Sequence, residues 1–218
     1  MVKSTLRRLG IVLILLAGGV SVRAADELPP LLTIPVRVHL LQSPDEPAVH
    51  TTLVEADIHR VLKKVNRIWA QAGIAFQAES IRKETARTVE IPADNFSDRW
   101  LLAAVPPATR ATNAFDLYYV KRMQANGIWT DGVVFVKDTA SLREVPGGID
   151  EPLPRVTSHE LGHALGLPHL QNITNLMASG TTGTELSVEE IQHARANAKK
   201  LPWSPSAQKK IDAANSAK

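Results

Sequence analysis

Residues 31–41 read LLTIPVRVHLL, with Ile34, Val36, Val38 and Leu40 alternating against Pro35, Arg37 and His39. A period of two in β-branched residues predicts a half-buried strand. The period then changes: Val54, Ile58, Val61, Val65, Ile68, Trp69 and Ala72 recur at spacings of three and four. That stripe predicts an amphipathic helix lying on a sheet. Thr52 and Glu55 are placed to form a capping box at its start, and Gly73 to take a left-handed conformation at its end. Residues 74–81, 115–120 and 132–137 read as further strands. The proline-interrupted stretch 82–113 yields only a short helix near 98–104. Residues 138–154, with a glycine pair and three prolines, read as a loop. A helix over 155–165 follows, with Pro154 at its first position. A last helix starts after Ser187, where Ser187 and Glu190 form a capping box and Leu186 can staple onto Ile191. There is no internal repeat and no low-complexity segment.

Composition is that of a globular chain, 44% apolar and 22% charged over 218 residues. At the start, Lys3, Arg7 and Arg8 precede an apolar run over 9–20 that ends in small residues, the pattern of a secretory signal peptide over 1–24. The run is too short to span a bilayer, which takes roughly 20 residues. Export to the periplasm or the medium is expected, with no membrane association of the mature form. The segment holds four of the 25 basic residues and none of the 22 acidic ones, so the mature balance is 21 against 22. Such a neutral chain gives no electrostatic footprint for nucleic acid. The chain has no cysteine, so its stability is expected from a packed core, as a monomer, and from a metal.

The metal follows from residues 159–169, HELGHALGLPH. On a helix His159 and His163 lie about 40° apart and one turn apart, so both imidazoles can face one Zn²⁺. Glu160 sits beside them, near the ion without being forced to bind it. Leu161, Ala164 and Leu165 fall on the opposite arc, toward the core. Gly166 can end the helix with a positive φ and bring His169 to the ion from another direction. Three nitrogen ligands leave a fourth position for water, the mark of a catalytic rather than a structural zinc. His39, His50, His59 and His193 have no such setting and read as ordinary histidines.

This stretch, followed by Asn175-Leu176-Met177, resembles the extended zinc signature and Met-turn of the metzincin metalloproteases. The short interval from His169 to Met177 is most similar to the matrixin type. The resemblance implies an α+β, zincin-like catalytic domain over 34–201, after a linker at 25–33 and before a polar tail at 202–218. A twisted mixed sheet with packed helices would form an upper part (34–166) above the active-site helix, and a small lobe (167–201) would lie below. It implies one catalytic Zn²⁺ on His159, His163 and His169, Glu160 as general base, Met177 as a floor beneath the ion, and hydrolysis of peptide or protein substrates.

Metzincins bind extended peptides along an edge strand, and Gly132, Val133, Val134 and Phe135 are the expected edge here, with residues 127–129 at the same rim. Ala178 and Ser179 would begin the wall of a roomy pocket. Without a cysteine, latency through a thiolate on zinc is not expected, and with Tyr118 and Tyr119 both ahead of the zinc helix, no tyrosine can assist after the Met-turn. Asp138, Glu144, Asp150 and Glu151 flank the glycine pair, but their spacing fits no oxygen cage for Ca²⁺, and a solvated loop is expected. Two readings of other kinds stand beside the protease: a zinc-stabilised, non-catalytic interaction or inhibitory module, and an enzyme dedicated to cell-wall peptides or a single partner. The presence of Glu160 argues against the first.

Overall fold

The computed structural model describes residues 30–89, 99–107, 110 and 113–202. The leader expected at 1–24 and nearly all of the polar tail lie outside that range. Among the described residues no helix is long and apolar enough to cross a membrane.

Five strands form one mixed sheet: β1 (Leu32–Gln42), β2 (Ile74–Thr85), β3 (Phe115–Val120), β4 (Gly127–Thr130) and β5 (Val133–Lys137), in the order β2-β1-β3-β5-β4. All neighbours run parallel except β4, which pairs antiparallel with β5 at the edge. Helices α1 (Glu55–Trp69) and α3 (Pro152–Ala164) cover one face, the short α2 (Arg99–Ala104) joins the cluster on the other, and α4 (Val188–Ala198) follows α3 in the chain. Because both faces are covered, β3 (FDLYYV) is buried at every position, as strands of a parallel sheet are.

Most of the stripe expected on α1 is buried: Ile58, Val61, Val65, Ile68 and Trp69, joined by Leu62, cluster with Val36, Val38 and Phe76 of the sheet and Leu153, Val156 and Leu161 of α3. Trp69 meets Phe76 edge to face with ring centroids 5.7 Å apart. Val54 is an exception, half exposed as the N-cap residue. The expected box of Thr52 and Glu55 does not form. The Asp57 carboxylate instead accepts the Val54 N–H at 3.0 Å, which holds its pKa below the usual carboxylate value. Thr52 donates its own N–H to Asp138. Gly73 is left-handed, φ 58°, after one 3₁₀ turn at Ala70–Ala72.

Two other expectations need correction. First, β1 alternates only as far as Arg37; residues 38–41 are buried on both faces. His39 is therefore not a surface residue. It lies between Glu84 (Nδ1···Oε1 3.3 Å) and Asp116 (Nε2···Oδ1 3.1 Å), stacked on Tyr118, so neighbouring strands supply the polar partners that burial demands. Second, α3 begins three residues earlier than read, with Pro152 rather than Pro154 at its first position and Glu151 as N-cap.

Candidate metal centre

Helix α3 carries the site. Its end is a Schellman turn: Leu167 N–H bonds to Gly162 O (2.9 Å) and Gly166 N–H to His163 O (2.8 Å), with Gly166 at φ +84°. The turn reverses the chain within three residues and returns His169 toward the helix. The Nε2 atoms of His159, His163 and His169 then form a triangle with edges of 3.1, 3.1 and 3.2 Å.

The remaining ring nitrogens explain that triangle. His159 Nδ1 donates to Leu176 O at 2.7 Å and His163 Nδ1 to Leu167 O at 2.8 Å. A ring nitrogen that donates leaves its partner as a bare acceptor, so at least two lone pairs converge with no proton between them. Burial also keeps these rings neutral, taking His159 down to about 3 and lowering His163 as well. Neutral nitrogens this close repel unless a cation lies among them. Four nitrogens around zinc at about 2.0–2.1 Å stand roughly 3.3 Å apart, close to the edges seen. The triad thus fits one Zn²⁺, and it is the one group of three or more potential ligands that converges among the described residues.

Glu160 is buried next to the triad. Its carboxylate accepts the backbone N–H of Trp129 on β4, and burial pushes its pKa up to about 8 against the pull of that bond and of the Arg155 charge. The contact depends on Gly127. A Cβ there would stand 2.6 Å from Glu160 Cγ, 2.7 Å from its Oε1 and 2.7 Å from Val156 Cγ1. We expect Gly127→Ala to lift β4 from α3, cost about 1–3 kcal/mol and displace the carboxylate. Urea unfolding checks this, and an unchanged midpoint contradicts it.

Beneath the helix, Met177 packs on Gly162, where a Cβ would meet its sulfur at 2.6 Å. The Asn175–Ala178 turn that presents Met177 is held from three sides. Asn175 Oδ1 accepts the Met177 N–H (2.6 Å) and its Nδ2 donates to Glu190 of α4 (2.7 Å). Leu170 N–H bonds to Met177 O (3.1 Å). Arg155, one turn before His159, donates Nε to Gly183 O (3.1 Å) and Nη2 to Asn175 O and Ala178 O. Glu190 also closes the expected capping box with Ser187.

The triad and Glu160 open into a cleft of about 610 Å³ whose rim includes Gly127, Ile128, Trp129, Arg155, Ser179 and Gly180. The strand expected to form that rim is not the edge. β5 is hydrogen-bonded to β3 on one side and β4 on the other, and Val133, Val134 and Phe135 are buried, while Gly132 sits in the β4–β5 turn. The edge is β4. Asp131 (φ 47°) and Gly132 (φ 80°) make a two-residue hairpin turn, and an Asp-Gly pair was the signal that could have found it. Ser179 lines the cleft, whereas Ala178 is buried and contributes its carbonyl to Arg155. Arg155 was not anticipated. The acids of the 138–151 loop do not converge: Asp138 accepts from Thr51 and Thr52, and Asp150 and Glu151 pair with Lys64, Glu151 also with Arg60.

No protein-family model matches the chain, and no curated protein sequence matches it. Solved structures do share its fold. Mature mirolysin of Tannerella forsythia, in complex with a cleaved peptide, superposes with a TM-score of 0.59 at 12% identity, covering 83% of this chain and 98% of that one. A promirolysin mutant from the same organism gives 0.58 at 13% identity over 83% and 85%. Mirolysin bound to a small compound gives 0.56 at 12% identity over 77% and 92%. The chain has a metzincin-like fold, a five-stranded mixed sheet with packed helices.

Proposed function

We propose that this chain is an exported zinc-dependent endopeptidase that hydrolyses peptide bonds. The convergence of three histidine Nε2 atoms at 3.1–3.2 Å, with a buried glutamate in the same cleft, carries this reading. His159, His163 and His169 would hold one Zn²⁺, which supplies Lewis acidity, acidifying a water near neutral pH and polarising the scissile carbonyl.

Glu160, oriented by the Trp129 N–H, accepts the proton of the attacking water and passes it to the leaving amine nitrogen. The outer side of β4 offers main-chain groups to an extended substrate, so strand addition uses residues 127–130 rather than 132–135. Met177 keeps the floor packed through Gly162. The cleaved peptide seen with mirolysin supports a peptide as the substrate class. The interval from His169 to Met177 supports a matrixin-type lower lobe over 167–201, and the apolar run at 9–20 supports export.

The test is a mixed peptide library offered to the mature chain with its metal measured in parallel. One zinc per chain and cutting that a chelator stops are expected. Zinc without any cutting would leave the non-catalytic module as the better account.

A further inference from the structure

Arg155 is 1% exposed, and among the described residues no carboxylate lies within ion-pair distance of it. A buried cation is costly unless dipoles or an anion compensate it. Three backbone carbonyls do so in part, through Nε and Nη2. Among the described residues Nη1 makes no hydrogen bond, and Arg155 is one of the residues lining the cleft with His159. Glu160, the sole carboxylate along that lining, feels the Arg155 charge but is bonded to the Trp129 N–H and lies beyond ion-pair distance of the guanidinium. The cleft is also lined by Ser179 and Gly180, too small to block an approach, and by the apolar Leu142 and Val156. The site therefore holds a preset, incompletely paired guanidinium whose strongest complement is a carboxylate.

We propose that the part of the cleft at Arg155 is a recess for an acidic side chain, so that the enzyme prefers Asp or Glu at one position next to the scissile bond. The inference rests on the peptidase reading and names its substrate class. A residue that merely clamped the Met177 turn would treat acid and amide peptides alike.

The experiment compares peptide pairs that differ only as Asp/Asn or Glu/Gln. Cleavage positions are mapped with the parent chain, and binding is measured by fluorescence anisotropy with the zinc-loaded Glu160→Gln variant, which retains Arg155. Preference for the acid by roughly ten- to a hundred-fold is expected, the range of a charged hydrogen bond, confined to one position. It should vanish in Arg155→Gln, which leaves any attraction by the metal in place. Acid and amide peptides bound within two-fold of each other, or a preference that survives Arg155→Gln, would overturn the recess. If Arg155→Gln does not fold, the parent's cleavage map decides: acid at a single position supports the recess, and acid at no position or at every position refutes it. Cutting without acid preference sinks the recess and leaves the peptidase, whereas selective binding without cutting does the reverse.

Discussion

Glu160→Gln will keep one zinc per chain and a native circular dichroism spectrum, yet lower kcat for peptide cleavage by roughly 10²–10⁴-fold, the usual worth of a positioned general base. The amide has the shape of the carboxylate and can still accept the Trp129 N–H, so the hold of β4 on α3 persists. What it loses is the ability to take a proton. Burial and the flanking Arg155 act on the carboxylate in opposite directions, while the two ligands on the helix are oriented by Leu176 O and Leu167 O, bonds that the substitution leaves in place. Metal content and rate should therefore separate cleanly. A Glu160→Gln protein that cuts as fast as its parent would remove the carboxylate from the mechanism.

Stripping the metal is expected to have the larger effect on the fold. The triangle of Nε2 atoms at 3.1–3.2 Å, at least two of them bare lone pairs, is stable around a cation and repulsive between those two without one. His169 is exposed and comes from the loop beyond Gly166, so its coordination also ties that loop to α3. At free zinc near a thousand times Kd, binding adds about 4 kcal/mol to stability. For a domain of this size that corresponds to a Tm lower by roughly 8–16 °C after chelation. Zinc should restore the transition where magnesium, which favours oxygen ligands, should not. An identical melt with and without chelator would mean that the triad holds no ion in solution.

The parts of this molecule that could be read from its sequence are those whose causes are local. The 3.6-residue stripe of α1 needs only its own side chains to declare itself, and the histidines four apart with a glycine turn behind them specify a metal face by helix geometry alone. Long-range causes left weaker traces. β4 is four residues long and half-buried throughout, which erases both the alternating and the continuous apolar pattern. His39 reads as a surface residue because its partners, Asp116 and Glu84, come from strands 77 and 45 residues away. Arg155 bonds to main-chain carbonyls 20 to 28 residues further on, and a carbonyl has no identity in a sequence. At the start of α1, the expected box of Thr52 and Glu55 gives way to the Asp57–Val54 bond, and the Thr52 N–H goes to Asp138, more than eighty residues distant.

The tie between Asn175 and Glu190 has a consequence in time. A chain leaves the ribosome N-terminus first, so β1, α1 and the rest of the sheet emerge ahead of residue 190. The turn that offers Leu176 O to His159 takes one of its holds from that glutamate, hence the support of the ligand triangle is complete only after α4 has arrived. On the peptidase reading, the nascent polypeptide reaches full activity only once α4 has been made. On that reading, self-digestion during synthesis is limited by the order in which the parts appear.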